Sequence, residues 1–277
     1  MYPDSVEIEF PNSTGGLFAN TDANEETIEY IGDDPTEKQH VWVDAMDSFR
    51  SALIALKPCP KDRVRVALID DGVNLGSVNI YGGIVNVNGL SFHTSDRQTE
   101  NPWHCSTGGH GTVMANMILR LNPWADLFVI RLQSGVNHNQ GRTISQLSAA
   151  QAIEAAIDLR VQIISVSWTI KYRGGTVTGL TPNEAGGASS TTGKDPFSRL
   201  TDAIDKVKKE GILMFCSASD DIQTTAMKVL PYSQQPEHIF RIGAALWLGQ
   251  RDPVTENQDR IDWVSPPPFP HHTTTGL

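Results

Sequence analysis

Cysteine is scarce in these 277 residues: Cys59, Cys105 and Cys216 stand far apart and no two form a CxxC pair. That spacing offers neither a disulfide framework nor a cysteine-ligated zinc site, and isolated thiols of this kind are expected to be buried or inert. Basic residues are also in short supply, with 22 Lys and Arg against 32 Asp and Glu, a formal net charge of -10 and a pI of about 5.2. A nucleic-acid surface needs clustered cations to neutralise phosphate, so nucleic acid is excluded as a partner. No apolar run is long enough to span a bilayer, and Met1-Tyr2-Pro3-Asp4-Ser5-Val6-Glu7 lacks the basic start and apolar stretch of a secretory signal. The expectation is an intracellular, cytoplasmic protein with no membrane partner. The adjacent His271-His272 stand without further ligands, so no metal and no cofactor are expected.

What is present sorts into four parts. Residues 1–36 are acidic and rich in Asn, Gly, Pro and Thr, which reads as a flexible lead-in. Residues 37–60 hold a helical segment and linker: Val41, Met46, Phe49 and Leu53 fall near helical spacing, and Pro58 and Pro60 follow. Residues 61–266 alternate strands and helices, and residues 267–277 form a tail rich in Pro, His and Thr. The strand candidates are Val64 to Ile69, Leu127 to Leu132, Ile163 to Trp168 and Leu213 to Cys216. Such alternation predicts an α/β fold, a doubly wound and mostly parallel sheet with helices on both faces. Thr143 and Gln146 have capping-box spacing ahead of the stripe Leu147, Ala150, Ile153 and Ile157. A second stripe, Leu200, Ala203, Ile204 and Val207, ends at Gly211. Gly174 to Lys194, rich in Gly, Ser and Thr, reads as a surface loop.

Two short motifs carry chemistry. Val66-Ala67-Leu68-Ile69-Asp70-Asp71-Gly72 puts a carboxylate at the end of an apolar strand. Gly108-Gly109-His110-Gly111-Thr112 puts an imidazole at the mouth of a helix, and its glycines allow close backbone approach. A carboxylate that fixes the tautomer of such a histidine leaves it able to accept and return a proton near neutral pH. An Asp-Gly pair after a strand also serves as a plain turn. Paired acids at a strand end can instead hold a divalent cation in a phosphate-handling protein, but that site needs an acid at the end of a neighbouring strand. Ile130-Arg131-Leu132 ends the next run without one.

Taken together, these segments resemble the subtilisin-like serine peptidases, the subtilase family, whose triad runs Asp, His, Ser along the chain. The resemblance extends from about Arg63 to Pro266 and includes Asn122-Pro123-Trp124-Ala125-Asp126-Leu127 and Ile163-Ile164-Ser165-Val166-Ser167-Trp168. It implies a subtilisin-like fold acting on peptide or protein substrates, with Asp70 as the orienting carboxylate and His110 as general base and acid. Asp71 stands where the family commonly has Ser or Thr, a change that touches local hydrogen bonding. Ser167 and Trp168 are implied along the cleft that receives an extended peptide. Cys216-Ser217-Ala218-Ser219-Asp220 resembles the family's Ala-Ala-Gly-Asn, which sets Asp220 at the oxyanion position.

The family's serine lies in a Gly-Thr-Ser-x-Ala motif opening a central helix, and residues 1–277 contain no such motif. After Pro266 the sequence reads Pro267-Pro268-Phe269-Pro270-His271-His272-Thr273-Thr274-Thr275-Gly276-Leu277, and no serine follows Ser265. Gly187-Ala188-Ser189-Ser190 precedes Asp220 and opens no apolar helix, so it is read as loop. The expectation is a subtilase sequence truncated before its serine-bearing helix and inactive as it stands. A pseudopeptidase that binds extended peptides without cutting them is the alternative, and a metal-dependent phosphate-handling protein is a third reading.

Overall fold

A computed structural model describes residues 41–56, 61–78, 86–93, 101–137, 141–173, 176–177, 195–218, 228–244 and 263–265. The lead-in, the tail, Cys59, Ser189, Ser190 and Asp220 lie outside the described residues. In chain order the elements are α1 (Val41–Leu56), β1 (Arg65–Asp70), β2 (Asn86–Ser91), α2 (His110–Leu121), β3 (Asp126–Arg131) and β4 (Ser134–Asn137). Next come β5 (Gly141–Ile144), α3 (Gln146–Asp158), β6 (Ile163–Val166), β7 (Ile170–Arg173), β8 (Thr176–Val177) and α4 (Pro196–Lys209). The order closes with β9 (Leu213–Ser217), β10 (Lys228–Leu230), β11 (Ile239–Ala244) and β12 (Trp263–Ser265).

Seven strands form one sheet in the order β12-β11-β9-β6-β1-β3-β2, and every pair in it is parallel. The chain builds β2 and β3 on one side of β1 and then crosses to build β6, β9, β11 and β12 on the other. The winding therefore reverses beside β1, and in open α/β sheets the crevice at the carboxyl ends of such strands is where ligands are held. Asp70 is the last residue of β1.

Strand periodicity decides which way each side chain faces. Val66 and Leu68 of β1, with Leu127 and Val129 of β3, join a core with Ala115 and Leu119 of α2. Ala67, Ile69 and Ile130 point the other way, into a second core with Ile153 and Ile157 of α3 and Leu200, Ile204 and Val207 of α4. The sheet is thus covered on both faces, as its near-continuous apolar strands require. Asp70 shares the parity of Val66 and Leu68, which directs it toward α2.

Several expectations are revised. Helix α3 opens at Gln146, with Ser145 as N-cap accepting from the Ser148 N–H. Thr143 is instead drawn into β5, opposite Gly135 of β4, and its hydroxyl donates to the Gly135 carbonyl. Part of the stretch read as loop is strand, because Thr176 and Val177 pair antiparallel with β7. Cys216 is buried as expected, whereas Cys105 is exposed. Gly211, at φ +67, does follow the end of α4.

Helix α1 also packs differently from its apolar spacing. Phe49 is 59% exposed, while Met46, Asp47, Arg50, Leu53 and Ile54 form the partly covered face. An ion cluster sets that rotation. Arg120 of α2 grips Asp47 with Nε at 2.9 and 3.0 Å and with Nη2, and Arg50 Nη1 donates to the Arg120 carbonyl at 2.8 Å. The Arg120 hydrogen bonds, aided by both guanidinium charges, hold the Asp47 carboxyl below the usual carboxylate range. A depressed folded-state value gives stability that is complete above the unfolded value of about 3.9 and is lost as pH falls through the lowered one. Amide exchange protection of α1, corrected for intrinsic rates, should therefore collapse in that acid window. In Asp47→Asn it should be weaker and flat with pH, and an unchanged acid transition there would rule out this carboxylate as the cause.

Candidate active site

The apolar run of β1 delivers Asp70 to the carboxyl edge of the sheet, fully buried. One oxygen, Oδ1, accepts the N–H of Asp71 at 2.7 Å. The other, Oδ2, lies 2.9 Å from His110 Nδ1. An ionised carboxylate can only accept, so this contact assigns the proton to Nδ1 and points Nε2 to proton exchange. The His110 side chain is 38% exposed against 0% for Asp70, which leaves the imidazole reachable from solvent while its partner is shielded.

His110 is the first residue of α2, and the approach of that helix to β1 depends on its neighbours. Gly109 is the N-cap, at φ +78 in the left-handed region that favours glycine. A Cβ at Gly111 would collide with the Gly72 carbonyl and come within 3.2 Å of Asp70 Cβ. Glycine at 111 thus permits the close seating that brings imidazole and carboxylate together. Further along the helix, Thr112, Ala115 and Leu119 bury the face that meets the sheet.

Asp71 has a larger part than its position in the motif suggested. It is 4% exposed, and its carboxylate accepts from Ser106 Oγ at 2.9 Å, Gly108 N at 2.7 Å and Gly111 N at 2.8 Å. Beside it, Arg131 at the end of β3 is equally buried and lies opposite Asp70 in the strand register. Its Nη1 donates to the carbonyls of Pro102 and Cys105, and Nη2 to Thr107 Oγ1, each at 2.9 Å. Burial lowers the Arg131 pKa, and the Asp71 charge works against that fall. A strand ending in Arg amid apolar residues was a readable sign of a buried cation that must find acceptors. The same guanidinium occupies the ground where a divalent cation would need a further acid, which counts against the phosphate-handling reading.

Ser167 and Trp168 follow the end of β6, next to β1. The Trp168 indole is turned into the core, 4% exposed, and its Nε1–H donates to the Ile69 carbonyl at 3.0 Å. It therefore braces the residue before Asp70 from behind, while Ser167 is half-buried.

Among the described residues, no helix is long and apolar enough to cross a membrane. The subtilisin-like protease het-Q2 of Podospora anserina is 32% identical over 112 residues, covering 40% of this chain and 25% of that protein. Among solved structures, the chain resembles a lanthipeptide protease with TM-score 0.56 and 20% identity, over 83% of this chain and 62% of the other. It also resembles the epidermin leader peptide processing serine protease EpiP of Staphylococcus aureus, with TM-score 0.52 and 17% identity, over 79% and 55% of the two chains. At these identities the likeness establishes a shared fold, and the chain spans less than two thirds of the length of each of these relatives. The Subtilase family itself matches residues 61–264, a span that holds the Asp70–His110 contact and all but the last residue of the seven-stranded sheet; the chain belongs to that family.

Proposed function

We propose that the protein serves as a serine endopeptidase that hydrolyses peptide bonds through an Asp-His-Ser relay. The observation that supports it is the 2.9 Å contact between Asp70 Oδ2 and His110 Nδ1 at the carboxyl edge of the sheet. In this reading Asp70 holds the imidazole in the tautomer with a proton on Nδ1 and stabilises the imidazolium that forms during acylation. His110 Nε2 takes the serine proton as the hydroxyl attacks, then returns it to the leaving amine. The serine is one that residues 1–277 do not present in a Gly-Thr-Ser-x-Ala setting. The resemblance assigns Asp220 to the developing oxyanion, and Ser167 with the backbone before Trp168 to the border of an extended peptide. The substrate is a peptide or protein, as in the leader-peptide protease that shares the fold.

Sequencing the encoding transcript across and beyond Pro266, then assaying the polypeptide it encodes on an unfolded protein, tests the proposal. An in-frame Gly-Thr-Ser-x-Ala segment with hydrolysis that vanishes in His110→Ala supports it. A transcript without that segment, whose product binds extended peptides and leaves them intact, replaces it with a peptide-binding role.

The oxyanion assignment has its own test in the active form. An ionised Asp220 repels the developing charge and only its protonated form can donate, whereas an amide donates at any pH. Asp220→Asn should therefore keep or raise turnover at neutral pH. A large fall in turnover with unchanged folding would remove Asp220 from this role.

A further inference from the structure

The relay reading leaves a second buried acid without a task. Asp71 follows Asp70 directly, yet its carboxylate is spent entirely on the segment that carries His110. It binds Gly108 N–H and Gly111 N–H, one on each side of the histidine, and the Ser106 hydroxyl, which in turn accepts from Gly109 N–H at 2.8 Å. Gly109 has no side chain with which to cap α2, so the cap comes from the end of β1 instead. Charge-assisted bonds to backbone N–H groups are roughly twice as strong as neutral ones, and the positive end of the helix adds to them.

We propose that Asp71 is a positioning residue for His110, with buried Arg131 bracing the segment that leads to it. The inference deepens the relay reading and rests on it. Two adjacent side chains divide the work: Asp70 orients the ring, and Asp71 fixes the backbone from which the ring projects. Because both arise from one turn of chain, the imidazole is referenced to its own carboxylate rather than to a distant wall. Arg131 completes the frame. Its three bonds to Pro102, Cys105 and Thr107 interleave with those of Asp71 to Ser106, Gly108 and Gly111, so the whole approach to α2 is tied to the ends of β1 and β3. The hydroxyl of Ser or Thr, the common family residues here, offers one acceptor atom where Asp71 offers two. Sites of this kind need their groups held within about 0.5 Å of the productive geometry.

The test uses residues 1–277 with 15N-labelled histidine, following the hydrogen-bonded Nδ1–H proton of His110, assigned by its disappearance in His110→Gln. In Asp71→Ala that signal should be lost at a temperature where circular dichroism reports a folded chain. In Asp71→Asn, where one acceptor oxygen remains, it should persist but exchange with solvent at least tenfold faster. Arg50→Ala is the matched control, since it frees the opposite end of α2 by removing the 2.8 Å bond to the Arg120 carbonyl. That variant should lose thermal stability and keep the signal. The inference is overturned if Asp71→Ala retains a wild-type signal, or if Arg50→Ala of equal stability loses it as well. Should Asp71→Ala fail to fold, an unchanged exchange rate in Asp71→Asn overturns it. A wild-type chain lacking the Nδ1–H signal would instead refute the Asp70–His110 pair, and a normal signal in a serine-bearing form that never cleaves peptide would refute the relay reading alone.

Discussion

Purified residues 1–277 are expected to remain unlabelled by a fluorophosphonate probe and to cleave an unfolded protein near the assay floor. Asp70 and His110 can orient and move a proton, but an acyl-enzyme needs a hydroxyl positioned against the imidazole. The serine nearest in sequence to that histidine is already committed. Ser106 Oγ donates to Asp71 at 2.9 Å and accepts from Gly109 N–H at 2.8 Å, so attack would cost it both bonds. With a triad member missing, binding and oxyanion contacts alone leave roughly 10³ to 10⁴ over water, far short of peptidase turnover. Labelling at one probe per chain that disappears in His110→Ala would show that a serine within these residues is the nucleophile.

Asp70→Asn, made in a serine-bearing form that hydrolyses peptide, is expected to lower kcat by about 10⁴ with little change in KM. The amide is close in size, so β1 and the seat of α2 should persist. What changes is the partner it offers: an NH2 turned toward the ring would favour the tautomer with the proton on Nε2, where the base must be vacant, and no charge would remain to stabilise the imidazolium. Steady-state kinetics with a chromogenic peptide, beside thermal melts, separates this from unfolding. A loss of less than tenfold in a folded variant would remove Asp70 from the relay.

The Asp70–His110 contact was legible because each partner sits at an element boundary that the sequence marks strongly. Val66 to Ile69 reads as a buried strand, and Gly108-Gly109-His110-Gly111 as the opening of a helix seated close to its neighbour. Strand parity then carries Asp70 to the α2 face, a step that needs no structure once the two cores are assigned. The parts that escaped are those decided by contacts distant in sequence. Asp71 caps a helix that begins some forty residues later, and nothing local distinguishes a capping acid from a turn acid. Phe49 loses its place in the packed face of α1 to an ion cluster with Arg120, whose relevance no window around either residue reveals. Thr143 has good capping spacing, but pairing with Gly135 claims it first. Trp168 carries a motif that implied a cleft, and its indole turns inward because the Ile69 carbonyl is the acceptor within reach.

The place of β1 in the sheet also bears on how the protein is made. Its two neighbours arrive late in synthesis: Arg65 pairs with Asp126 and Val66 with Ile163, partners about sixty and about a hundred residues downstream. Non-local parallel pairing of this sort is slow, and until it is complete the ribosome holds out a bare apolar segment with two unpaired edges. Charges that flank such a segment act as gatekeepers against self-association. Arg63 and Arg65 stand on one side of Val66 to Ile69, and Asp70 and Asp71 on the other. The acids that hold the histidine in the folded protein are thus also flanking charges of the kind that disfavour pairing of this interior strand with copies of itself.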